Sequence, residues 1–296
     1  MFGPIEFILA GVLVGFCVGI TGVGGGSLMT PILIGLFRIE PHIAIGTDLL
    51  YAAISKFCGS FVHAQKMNIV WPIVIWLAVG SIPASFATHW VLDNYLSQSA
   101  HYKLVLTMVL GFMLTLTGTS IVFRSQIEAL FNTYRKQAFP DMTQELEHVK
   151  LQANDKRVLI MIMGIILGVF VTLSSVGAGA FGIMALVLMF PNLPMIRIIG
   201  SDVVHAVLLT LVAGLGHMSS GNVDFYLLGW LLVGSIPAIV IGTLLSSRMP
   251  EKLIRKILGI TLFALGINFM LNPVKSKPVQ PVESAVILQP DKIQPV

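Results

Sequence analysis

Residues 5–37 and 157–190 form two nearly uncharged stretches of 33 and 34 residues, each interrupted by a cluster of glycine and other small residues. The first cluster reads Thr21-Gly22-Val23-Gly24-Gly25-Gly26-Ser27 and the second Ser174-Ser175-Val176-Gly177-Ala178-Gly179-Ala180. A continuous helix of either length would measure roughly 50 Å at about 1.5 Å per residue. The hydrocarbon core of a bilayer is only about 30 Å thick. Each stretch is too long for one upright crossing and too short for two. The spacing therefore predicts a helix, a break at membrane depth, and a second short helix.

That argument needs a membrane, and composition supplies it. The chain is 55% hydrophobic and 11% charged, against about 25% charged in a soluble domain. Disorder is excluded, because it needs low hydrophobicity and many charges. Six further apolar segments lie near 43–63, 70–92, 102–123, 197–217, 223–246 and 253–271. The expected fold is an all-α membrane protein with about eight transmembrane helices in two four-helix repeats. The first helix of each repeat is broken at its small-residue motif. The opening Met1-Phe2-Gly3-Pro4-Ile5-Glu6 lacks a positive leader, so the first apolar segment is expected to stay as a span.

The halves match at a constant offset of 154 residues. Gly46-Thr47-Asp48 aligns with Gly200-Ser201-Asp202, His63 with His217, Asn68 with Asn222, and Gly80-Ser81-Ile82-Pro83-Ala84 with Gly234-Ser235-Ile236-Pro237-Ala238. Positions 46–84 share 13 identities in 39 with positions 200–238. Thr21 then meets Ser175, and Gly25 meets Gly179. The expected organisation is a first transmembrane repeat over 1–123, a polar connection over 124–156, a second repeat over 157–271, and a disordered tail over 272–296. Ile127, Leu130, Phe131 and Tyr134 recur at helical spacing, so the connection is expected to begin as an amphipathic helix on the membrane surface. Four spans per half would make the repeats parallel, with a pseudo-two-fold axis along the membrane normal. A different crossing by the broken segments would invert them. The basic residues split ten to seven in favour of the side carrying both termini and the polar connection, which would place that side inside.

The glycine run followed by Pro31, then Ile45-Gly46-Thr47-Asp48, then Gly80-Ser81-Ile82-Pro83-Ala84, all duplicated, resembles the sulfite exporter TauE/SafE family of membrane permeases. The resemblance spans roughly residues 5–271. It implies movement of small sulfur-containing anions such as sulfite, sulfonates or sulfoacetate. The second half departs from the glycine run, with Ala178 and Ala180 opposite Gly24 and Gly26.

The residues themselves suggest where such an anion would bind. Non-helical backbone at membrane depth is tolerated only where protein buries it or it lines a wet cavity. A helix restarting there points free N–H groups and a partial positive charge at that cavity, which suits an anion. The candidate substrate site is Thr21, Gly24, Gly25, Gly26 and Ser27 with Ser174, Ser175, Gly177 and Gly179. The competing reading is close helix packing through small residues, which Gly15 and Gly19 fit.

Asp48, Lys56 and Asp202 are the clearest charges inside spans, and intramembrane charge points to function. Each aspartate follows Gly-Thr or Gly-Ser, so it reads either as a helix cap or as a carboxylate that couples proton to anion movement. Lys56 has no counterpart, since position 210 is Thr; it either supplies positive charge to the anion or snorkels to the surface. His63, His217, Asn68 and Asn222 complete the coupling or gating candidates, the histidines as hydrogen-bonded structure or as proton exchangers.

No catalytic residue, metal site or cofactor is expected. Cys17 and Cys58 fit no metal spacing, no basic stripe suggests nucleic acid, and there is no phosphate loop for ATP. The expected partners are the lipid bilayer and the small anion, with a homo-oligomer allowed. The expected location is the cell (inner) membrane, multi-pass. A passive channel or structural subunit is the alternative. An intramembrane aspartyl protease is more remote, because its two carboxylates need unlike surroundings and these two sit in near copies of one motif.

Overall fold

The computed structural model describes residues 3–21, 26–63, 69–96, 99, 101–138, 155–191, 193–245 and 251–273. It is all-helical over these residues, with ten α-helices. They are α1 Pro4–Thr21, α2 Gly26–Gly35, α3 Pro41–His63, α4 Trp71–Val91, α5 Tyr102–Ala138, α6 Arg157–Ser174, α7 Ala180–Met189, α8 Met195–Ser219, α9 Phe225–Leu245 and α10 Glu251–Leu271. A π-helical turn, Leu92–Leu96, extends α4. Seven helices are long and apolar enough to cross a bilayer, against the eight spans expected. The remaining long helix, α3, carries Asp48 and Lys56.

Both over-long segments are broken at the small residues. In the second, Ser175 ends α6 in the left-handed region at φ 59°. Gly177 and Gly179 follow at φ 113° and 137°, where a side chain would be strained and glycine is not. Residues 22–25 of the first motif, including Gly24 and Gly25, lie outside the described residues. The helix ends revise the register at the break. Thr21 corresponds to Ser174 rather than Ser175, because α1 and α6 end 153 residues apart while α2 and α7 begin 154 apart.

Each broken segment turns back on itself. Phe7, near the start of α1, lies 5.1 Å in ring centroid from Phe37, just beyond α2. In the second half Lys156, just before α6, donates its Nζ–H to the carbonyl of Met189, the last residue of α7, at 2.8 Å. The short helix therefore returns the chain to the side from which the long one started, and the crossings per half become odd.

The helix contacts agree. A Cβ at Gly46 would collide with Asn222 and crowd His217, whereas Gly214 sits against Leu50, so α3 and α8 run antiparallel. Gly111 faces Gly266 and Met270, while Gly118 faces Gly259 and Phe263, so α5 and α10 are antiparallel as well. An axis along the membrane normal would keep such mates parallel. The expected parallel arrangement is thus corrected to an inverted one, with the axis across the helices. Two hydrogen bonds obey it: Asp224 N–H to Thr47 Oγ1 at 3.0 Å and Val70 N–H to Ser201 Oγ at 2.9 Å. Both their donors and their acceptors are 154 residues apart.

The halves interlock. Gly11, Gly15 and Gly19 of α1 press against Leu231, Ser235 and Ile239 of α9, and Gly164 and Gly168 of α6 press against Leu77 and Ser81 of α4. Small residues bring backbones close where lipid offers no hydrophobic drive between helices, so this glycine spacing is packing. Inversion also puts the α5–α6 connection on the side opposite both α1's start and α10's end. That revises the charge tally. Arg124, Lys156, Arg157, Arg197, Lys252, Arg255 and Lys256 gather on the connection side, and Arg38 and Lys103 on the other.

The connection does not begin as a separate surface helix. Residues 124–138 continue α5, making it 37 residues long, roughly 55 Å. Residues 139–154 and 274–296 are outside the described residues.

Candidate functional site

The helix starts settle one of the two readings of the aspartates. α3 begins at Pro41 and α8 at Met195, so Asp48 and Asp202 each stand seven residues inside a helix and cap neither. Both are fully buried. An ion removed from water is retained only where something compensates it.

Asp48 is compensated by its neighbour α2. Its Oδ2 accepts the backbone N–H of Thr30 at 3.2 Å and the Thr30 hydroxyl as well. Ser175 of the second break stands near the carboxylate, and Asp48 Oδ1 and the buried Ser175 hydroxyl each lack a hydrogen-bond partner among the described residues. Asp202 is different. Neither of its oxygens has a partner among the described residues. It lies so close to α7 that a Cβ at Gly182 would strike Oδ1, and it feels the charges of Lys56 and Arg124.

Lys56 does not snorkel. Only 8% of it is exposed, and its ammonium donates to the Ala178 carbonyl in the second break at 2.5 Å. Both aspartates act on it electrostatically, although no direct ion pair forms among the described residues. The break thus places a free backbone carbonyl where an intramembrane cation can use it. One lysine and two carboxylates from α3 and α8 converge on the break between α6 and α7.

The structure also adds a residue that sequence reasoning missed. His205, one turn beyond Asp202, is buried with Nε2 2.8 Å from Ser81 Oγ. The signal was in the repeat: Tyr51 is the mate of His205 and Ser235 the mate of Ser81, so a polar ring on α8 or α3 faces a hydroxyl on α4 or α9 of the opposite half.

Other candidates fall elsewhere. Thr21 and Ser174 turn their hydroxyls to carbonyls of their own helices, Cys17 at 2.7 Å and Phe170 at 2.6 Å. Ser27 is buried in the first turn of α2, which starts at Gly26. Gly177 and Gly179 shape the second break. His217 stands fifteen residues beyond Asp202 on α8. It is fully buried, with Nε2 3.0 Å from the Thr172 carbonyl and its ring 5.6 Å from that of His89. It is hydrogen-bonded at the far end of the helix from Asp202. Asn222 lies in the turn after α8, its N–H on the His217 carbonyl at 2.9 Å. The side chain of His63 and all of Asn68 lie outside the described residues. No group of three metal-ligating side chains occurs among the described residues.

A bundle of crossing helices, two re-entrant hairpins and buried charges around a broken helix define a multi-pass membrane transport protein. Comparison with known proteins agrees. The family model for sulfite exporter TauE/SafE matches residues 7–269, and the chain belongs to that family. It is 35% identical over 266 residues to the probable membrane transporter protein YjnA of Bacillus subtilis (strain 168), covering 90% of this chain and 99% of that one. It is 26% identical over 266 residues to the probable membrane transporter protein YdhB of the same organism, covering 88% and 97%. A probable membrane transporter protein of Xylella fastidiosa (strain 9a5c) is 25% identical over 264 residues, covering 87% and 91%. No solved structure matches the chain significantly.

Proposed function

We propose that this chain is a secondary transporter of small sulfur-containing anions, sulfite or sulfonates, in the cell (inner) membrane. The observation that carries this reading is Lys56, a buried ammonium held at a helix break between two carboxylates. An isolated charge there is costly, and membrane proteins keep one where a pathway needs it. A deprotonated Asp202 would repel an arriving anion, and a protonated one would not. Proton uptake at Asp202 therefore couples to anion occupancy, while Lys56 supplies the attraction. The two inverted halves, 1–123 and 157–271, rock around this centre to give alternating access.

The function is that of a permease rather than an enzyme. An aspartyl protease needs two carboxylates sharing a proton. Here Asp48 is engaged by Thr30, and Asp202 has no partner among the described residues.

The test is uptake into liposomes of sulfite, sulfate, taurine, sulfoacetate and a carboxylate control, each with and without a pH gradient. Saturable uptake of sulfite or a sulfonate, with counterflow, is expected. Flux without counterflow would make the protein a channel. Uptake of the carboxylate alone would sink the sulfur-anion reading.

A further inference from the structure

The inverted halves differ beside their short helices. A narrow crevice of about 10 Å³ lies between α5 and α7, lined by Ser120 and Arg124 on one side and by Ala180, Ile183, Met184 and Val187 on the other. Its far rim is Met195, at the start of α8. Its lining thus extends from Met195 to Ala180, the first residue of α7, beside the break that holds Lys56. At the matching positions of α2, Met29, Thr30 and Leu33 are fully buried; of their mates on α7, Ile183 and Val187 are buried as well, and the difference lies at Met184. Met184 is half-buried where Thr30 is sealed against Asp48.

The two ends of the molecule differ likewise. Glu40, ahead of α3, is clamped to Lys103 of α5 at 2.7 Å, whereas the matching position ahead of α8 is Pro194. Around the open end the charges favour an anion. Arg124 stands in the cavity wall and Lys56 beyond it. Arg197, buried in the first turn of α8, has an Nη1 without a partner among the described residues. A guanidinium keeps its charge at every physiological pH, and its planar fork matches an oxyanion.

We propose that the cavity between α5 and α7 is the path by which the anion reaches the site, and that Arg124 selects for negative charge along it. The path then opens toward the side of the α5–α6 connection when the crevice widens. The symmetric path along α2 is shut. The proposal rests on the transporter reading for its solute, but not for its test.

In a background carrying Cys17→Ala and Cys58→Ala, single cysteines are introduced as Met184→Cys, Leu33→Cys and, as a marker of side, Gln137→Cys. Oriented vesicles are treated with membrane-impermeant thiosulfonate reagents, one anionic and one cationic. Met184→Cys should react from the same side as Gln137→Cys, with Leu33→Cys slower by roughly tenfold or more from either side. Adding Arg124→Gln should lower the anionic-to-cationic rate ratio at Met184→Cys by roughly three- to tenfold, in line with electrostatic steering. Arg124→Lys should restore most of it, which a merely structural role would not predict. Reaction of Met184→Cys only from the opposite side overturns the proposal. So do equal rates at the two cysteines, or a rate ratio indifferent to Arg124. Labelling needs no transported solute, so the path is tested even in a protein that carries no sulfite.

Discussion

Asp48 and Asp202 stand at the same place in the two halves, seven residues into helices of matching start, and both are fully buried. Of the two, only Asp48 has hydrogen-bond partners among the described residues. The difference traces to one pair of mated positions. Residue 30, on α2, is Thr and reaches back to Asp48; residue 184, on α7, is Met and offers no donor. Duplication supplied two equivalent carboxylates, and one substitution on the opposing short helix made one of them structural and left the other available. The site is therefore asymmetric even though its scaffold is not, and in the function proposed above it is Asp202, with Lys56 and Ala178 nearby, that carries the chemistry.

The most severe way to break this contrast is to remove the cation that both carboxylates face. Lys56→Met leaves Asp48 with its Thr30 hydrogen bonds and Asp202 with the charge of Arg124, and takes from both the cation they share. Removing one member of a buried charge group costs about 3–5 kcal/mol. Detergent-solubilised protein should unfold at markedly lower temperature, and sulfite counterflow should vanish. A loss of less than about 1 kcal/mol would mean that the three charges do not act together.

A sharper cut compares the two carboxylates directly. Asp48→Ala strands the Thr30 hydroxyl and loses two hydrogen bonds to a charged acceptor, a loss of about 1.5–3 kcal/mol. Asp202→Ala strands no hydrogen-bond donor among the described residues and loses only the charge set against Lys56, so its destabilisation should be the smaller of the two. Transport should fall the other way round, with Asp202→Ala losing the response to a pH gradient. Thermal unfolding and liposome uptake measured on both variants check this. Equal destabilisation would show that Asp202 has a partner after all, and the asymmetry would go with it.

The orientation of the two halves was invisible in the sequence for a definite reason. Pattern and length predicted the helical class, the breaks at Thr21-to-Ser27 and Ser174-to-Ala180, and the matched aspartates, because each follows from local composition. What a helix does after a break depends on contacts made far away. Phe7 against Phe37, and Lys156 against Met189, join residues 30 and 33 positions apart, and neither pair announces itself. Parity followed from that turn, and with it the orientation of one half against the other. The cap reading of Asp48 failed likewise, because Gly46-Thr47 looks like a helix start when α3 in fact begins at Pro41. His205 stayed hidden because its mate is Tyr51, so no identity marked it.

The mildest test bears on which end of the molecule is shut. Glu40 and Lys103 form the clamp at the closed end, and Pro194 stands where a second Glu40 would be. The hydrogen bond from Lys103 holds the Glu40 carboxyl below its ordinary value, with His42 beside it adding a smaller pull in the same direction. A carboxyl with a depressed folded-state pKa contributes stability that is present above its unfolded value and lost as pH falls through the folded one. The clamp should thus be fully made at neutral pH and released in the acid range below the ordinary glutamate value. Glu40 is largely exposed, so the effect on global unfolding will be slight, and the readout should be local. Lys103→Met should raise the reactivity of Leu33→Cys at neutral pH. The thiolate is the reacting form and its fraction falls with pH, so the readout is the ratio of the two rates. The unmodified clamp should approach the Lys103→Met variant only on acidification, and the two curves should meet at the acid end. If Lys103→Met leaves Leu33→Cys as sealed as before, the closed end is held by the packing of Met29 and Leu33 alone, and the asymmetry between the halves rests on the short helices rather than on their connections.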